Sequence, residues 1–98
     1  ANKVYHALSD ALVTILDTLH MPQNDSLSIR FTVHAAFTIE RAIRGESLPY
    51  KKAAEYLRAH HELALKIRQG LIAIQNLYNI QISDNELAYI VEIFDDYV

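Results

Sequence analysis

The sequence predicts an all-α fold, a compact five-helix bundle forming one domain over residues 1–98. Three observations lead there. Hydrophobic residues make up 51% of the chain while Gly and Pro number only 2 each, a composition rich in helix formers and poor in breakers. Apolar residues recur at three- and four-residue steps along every long segment. The junctions between those segments carry recognisable start and stop chemistry. A chain of 98 residues can build one hydrophobic core but is too short for two.

Val4, Leu8, Ala11, Leu12, Ile15, Leu16 and Leu19 form the buried stripe of a first helix, with Ser9, Asp10, Thr14 and Asp17 opposite. Pro22 disfavours helix in the residue before it, and Gln23-Asn24-Asp25 offers turn chemistry, so this helix should stop near His20. Asn24 or Asp25 then caps a second helix over about Ser26 to Arg44, and Gly45 is placed for a left-handed C-terminal cap. Pro49 suits a first helical turn and should begin a third helix from Tyr50 to Ala59, with Ala53, Ala54 and Leu57 inward. After a break at His60-His61, Leu63, Ile67, Leu71, Ile74 and Tyr78 line a fourth helix ending at Asn79. Gly70 lies within it, which points to close approach of another helix. Ser83-Asp84-Asn85-Glu86 reads as a capping box, in which the Ser83 hydroxyl and the Glu86 carboxylate each satisfy an orphan N–H. Leu87, Ile90, Val91, Phe94 and Val98 follow as the stripe of a last helix.

A net charge of -3 argues against direct nucleic-acid contact by this domain, which would favour a basic face. With no Cys, disulfides and thiolate chemistry are excluded, and a reducing cytoplasm fits. The longest apolar runs fall well short of the roughly 20 residues that cross a bilayer, and no signal pattern opens the chain. A start at Ala1-Asn2 without Met reads as a piece excised from a larger protein.

Enzymatic motifs fail one by one. His61-Glu62-Leu63-Ala64-Leu65 begins like a zinc-protease helix but has Leu65 where the second His ligand belongs. His60 and His61 diverge on a helix, and Asp84-Asn85-Glu86 lacks a calcium loop. No Gly-rich phosphate loop, Ser elbow or catalytic carboxylate pair stands out, so no enzyme, cofactor or metal site is expected. The six tyrosines read as packing residues, and Glu40 as a partner for Arg44 one turn on or for a neighbouring helix.

The second helix carries the feature of interest. Arg30, His34, Thr38 and Arg41 share one narrow polar stripe, flanked by Phe31 and Phe37, while the remaining circumference is mostly apolar and should be buried. No carboxylate lies three or four residues from His34, so nearby arginines favour its neutral, nucleophilic form. A phosphoryl group added there would find two Arg forks and the Thr38 hydroxyl within a turn or two. That chemistry suits a phosphoacceptor.

At this point the chain resembles the PTS regulation domain, the PRD of bacterial antiterminators and activators controlled by the sugar phosphotransferase system. His34-Ala35-Ala36-Phe37-Thr38-Ile39-Glu40-Arg41 is similar to the family's phosphoacceptor segment, with Phe three and Arg seven residues after the His. Asn79-Ile80-Gln81-Ile82-Ser83-Asp84-Asn85-Glu86-Leu87-Ala88-Tyr89-Ile90 resembles the segment introducing the last helix. The resemblance implies a five-helix bundle that commonly dimerises and accepts phosphate from HPr or a sugar-specific enzyme IIB. Many members carry a second His in the last helix, where Ile93 stands here. In this the chain is similar to the incomplete C-terminal PRD of sigma-54-dependent activators of sugar operons.

The leading expectation is therefore a regulatory domain, reversibly phosphorylated on His34, with Arg30, Thr38 and Arg41 contacting the phosphate or the partner. A purely structural dimerisation module is the alternative. A histidine phosphotransfer domain of two-component signalling ranks lower, because such domains usually carry Lys and Gly soon after the active His, where Thr38 and Ile39 stand.

Overall fold

A computed structural model describes the backbone of residues 2–98 and the side chains from Lys3 onward. Among the described residues there are six helices and no strand: α1 (Asn2–Leu19), α2 (Asp25–Ile43), α3 (Ala53–Ala59), α4 (His61–Gly70), α5 (Ile72–Tyr78) and α6 (Asp84–Asp95). The count of five was one short, because the expected fourth helix breaks at Leu71. Its N–H is shared between the carbonyls of Ile67 and Arg68, each at 3.1 Å, and α5 starts at the next residue. The break follows Gly70, the last residue of α4. A Cβ there would collide with Cγ1 of Ile15 on α1, so the glycine lets α1 approach, and both Leu71 and Ile74 are buried.

Local chemistry sets most other boundaries. α1 ends where His20 turns left-handed at φ 55, with Met21 N–H bonded to Leu16 O at 2.9 Å and His20 N–H to Asp17 O at 3.2 Å. Asn24 caps α2, its side chain accepting from Leu27 N–H at 3.1 Å. Gly45 at φ 71 closes α2 by the same double bond, Glu46 N–H to Arg41 O at 2.8 Å and Gly45 N–H to Ala42 O at 3.0 Å. Arg44 pairs with Glu40 at 3.0 Å as expected, and also with Glu46.

Two expectations fail for tertiary reasons. Pro49 does not open a helix; α3 starts only at Ala53, after Lys52 in a left-handed turn. The stretch before it is held in non-helical form from outside, since Tyr89 OH donates to Pro49 O at 2.6 Å and Tyr50 OH to Glu92 at 2.6 Å. At the last helix only half of the capping box forms. Ser83 Oγ accepts from Glu86 N–H at 3.2 Å, but the Glu86 carboxylate turns away toward α2. Val98, expected inside, is exposed.

α6 is the centre of the bundle, packed against α2, α3 and α4, while α1 covers α4, α5 and α2. Leu87, Ile90, Val91 and Phe94 are fully enclosed, and Phe94 meets Phe31 of α2 edge to face at 5.6 Å. α2 buries less than expected. Leu27, Phe31, Ala35, Thr38 and Ile39 point inward, whereas Ile29, Val33, Phe37 and Ile43 are more than half exposed.

Gly70→Ala tests the close approach. Removing a glycine from a helix relieves roughly 0.5–1 kcal/mol of backbone entropy, but overpacking a filled core costs about 1–3 kcal/mol, so the variant should be less stable in urea melts. In an Ile15→Ala background, where the colliding atoms are gone, the loss should shrink or reverse.

Candidate functional site

The polar stripe of α2 does not stand alone in the fold. Glu86, in the first turn of α6, arrives beneath it with its side chain only 3% exposed. Arg41 grips this carboxylate bidentately, Nε to Oε2 at 2.6 Å and Nη2 to Oε1 at 2.9 Å. Thr38 Oγ lies 3.0 Å from Oε1 and 3.1 Å from the carbonyl of His34; its one proton favours the charged acceptor. The backbone N–H of Leu48 completes the set, donating to Oε2 at 2.8 Å. Burial pushes the Glu86 carboxyl up, and the bonds from Arg41, Leu48 and Thr38 together bring it below its ordinary value of 4.5. It is ionised at neutral pH.

His34 sits one turn before Thr38, three-quarters buried, its ring 5.6 Å from that of Tyr89. Nε2 is shielded from solvent, has no hydrogen-bond partner and faces Glu86 Oε1 at 3.9 Å. Burial holds the imidazole below its ordinary 6.5, Glu86 opposes that shift, and Arg41 adds to it. The ring is therefore neutral at pH 7, as a nucleophile requires.

Beside the ring opens a cleft of about 480 Å³ lined by Ile29, Arg30, Val33, His34, Phe37, Tyr89, Glu92 and Ile93. The exposed apolar side chains of α2 are thus gathered at one place, next to the histidine. Ile93 contributes a buried aliphatic wall there.

The four residues of the stripe are not brought to one point. Thr38 and Arg41 converge on Glu86 within a turn or two of His34. Arg30 instead pairs with Asp96 at 3.0 Å and lies over the Tyr97 ring at 5.5 Å, so the expected positive potential at His34 comes from Arg41 and not from Arg30. Sequence reasoning passed over Glu86 by assigning it to a cap, and it passed over Tyr89. A signal was present: Glu86 precedes Ile90 by four residues and Ile93 by seven, which puts a charge on the apolar face of α6. Of the other histidine pair, His60 has a structural account, since its Nδ1 is 3.0 Å from Tyr56 O and its Nε2 is 3.3 Å from Asp95. Among the described residues, no three His, Cys, Asp or Glu side chains are grouped to hold a metal.

Compared with known proteins, the chain is matched over residues 9–97 by the family model of the PRD domain. No curated protein and no solved structure matches it.

Two measurements test this electrostatic picture. Glu86→Ala strands a buried guanidinium, a hydroxyl and an amide, and should cost about 3 kcal/mol or more; Glu86→Gln, which keeps the shape, should cost less. Because the folded-state value of Glu86 lies below 4.5, its contribution is complete well above that pH and disappears as the pH falls through the lowered value. The stability gap between wild type and Glu86→Gln should close on acidification. For His34, titration followed by NMR should give a midpoint below 6.5, and lower still in Glu86→Gln, where the opposing carboxylate is gone.

Proposed function

The chain belongs to the PRD domain family, whose members are regulatory domains of regulators controlled by the phosphotransferase system, and on that premise we propose that it is a phosphorylation switch acting through His34. The observation that carries this reading is the neutral imidazole of His34 at the wall of an open apolar cleft, one turn from Thr38 and two from Arg41. His34 also stands where the sequence resembles the family's phosphoacceptor segment. Phosphoryl transfer needs an unprotonated ring nitrogen, a surface on which a donor protein can seat itself, and cationic groups to receive the charge. All three are within reach of this residue.

In the transfer, the lone pair of a His34 nitrogen attacks phosphorus. A nitrogen–phosphorus bond forms while the donor's bond to phosphorus breaks, and the donor residue leaves with that electron pair. HPr or an enzyme IIB component is the donor, and Ile29, Val33 and Phe37 offer it apolar contact beside the acceptor. Since Ile93 replaces the second acceptor of many relatives, the domain works with one phosphohistidine. Its parent would then be a cytoplasmic transcriptional regulator of a sugar operon, of the sigma-54-dependent type, acting as a homodimer in which other domains contact DNA.

Incubation with phosphoenolpyruvate, enzyme I, HPr and the cognate enzyme IIB, followed by mass spectrometry, should label wild type and leave His34→Ala unlabelled. Equal labelling of the two, or none of either, would show the proposal to be wrong.

A further inference from the structure

The site is closed against the group it is read to accept. His34 Nε2 is excluded from solvent, lacks a partner and looks onto the Glu86 carboxylate 3.9 Å away. A phosphoryl group on that nitrogen needs most of this gap for its own bonds and oxygens. It would also set a charge of about -1.5 to -2 against an ionised carboxylate in a shielded place. The donors suited to it, the Thr38 hydroxyl and the Arg41 fork, are already taken by Glu86.

That carboxylate has a further ligand on the connection between α2 and α3. Four bonds hold residues 46–52 to α6 and its cap: Leu48 N–H to Glu86, Ser47 to Ser83 at 2.6 Å, Tyr89 to Pro49 O, and Tyr50 to Glu92. The Leu48 bond is the shielded one, while the other three are solvent-exposed and individually weak.

Resting on the reading of His34 as phosphoacceptor, we infer that Glu86 is a latch: a phosphoryl group on Nε2 takes over Thr38 and Arg41, expels the carboxylate, and so frees Leu48 and the connection 46–52 from α6. Three phosphoryl oxygens replace two carboxylate oxygens as acceptors for Arg41 and Thr38. Glu86 moves toward water, and the Leu48 amide is the donor left over. The phosphate thereby acquires a structural output at the exposed connection between α2 and α3.

The test uses the full chain and phosphoramidate, a small donor that needs no partner protein. The Nε2 lone pair forms the new bond to phosphorus as the phosphorus–nitrogen bond of the donor breaks, and ammonia leaves after taking up a proton. Amide exchange is then read by NMR. Exchange at Leu48 should rise roughly tenfold or more on phosphorylation, with α1 and α5 unchanged. Unphosphorylated Glu86→Gln should show part of the same rise, whereas His34→Ala treated with phosphoramidate, labelled only on its other histidines, should show none. Label on His34 with Leu48 still protected overturns the latch and leaves the phosphoacceptor reading standing, and so does label confined to Nδ1 with protection retained. Loss of protection throughout the chain means unfolding and also overturns it. Label and release with phosphoramidate, but no label from the phosphotransferase proteins, sustains the latch and removes the proposed donors.

Discussion

A single buried carboxylate ties α2 and the connection after it to α6. Taking Glu86 out of water costs several kcal/mol, and the fold offsets this with a bidentate guanidinium, a hydroxyl and a backbone amide. The donors come from two places: Arg41 and Thr38 from α2, Leu48 from the connection beyond it. Removing any one leaves a charge or a dipole uncompensated in a shielded position. One group thus links α2, α6 and the connection between α2 and α3, whose path is also held by Ser47, Pro49 and Tyr50 bonding to Ser83, Tyr89 and Glu92.

The state of His34 is a consequence of the same arrangement. Burial against Tyr89 keeps the ring neutral, the Arg41 charge reinforces this, and Glu86 partly cancels it. The net effect is a ring held below its ordinary value. The surrounding core is tightly packed. Phe31, Phe94, Ile90 and Val91 lock the far side of α2 and α6 together, and Gly70 with Ile15 fixes α1 on the opposite face.

Ile93 gives the cleft beside His34 a buried apolar wall, and its aliphatic side chain cannot accept a phosphoryl group. The exposed Ile29, Val33 and Phe37 form an apolar patch beside His34.

Sequence alone determined the all-α class, the ends of α1 and α2, the Ser83 cap and the reason for Gly70; it narrowed the α2 cap to Asn24 or Asp25 and the Glu40 partner to Arg44 or a neighbouring helix, and the structure selects Asn24 and Arg44. These rest on contacts a few residues apart or on a glycine whose cost requires an explanation. It also determined that His34, Thr38 and Arg41 share a face, because helical periodicity is local. Tertiary structure decided the rest. The sixth helix follows the close approach of α1 at Gly70, and the late start of α3 the hydrogen bonds to side chains about forty residues away. Arg30 left the site for Asp96, a partner 66 residues distant. Glu86 satisfied every local rule for a capping residue, and the stronger, charge-assisted bonds offered by Arg41 and Thr38 outweighed the cap. Helix periodicity states which residues face one way; which charges meet there depends on how two helices are set against each other.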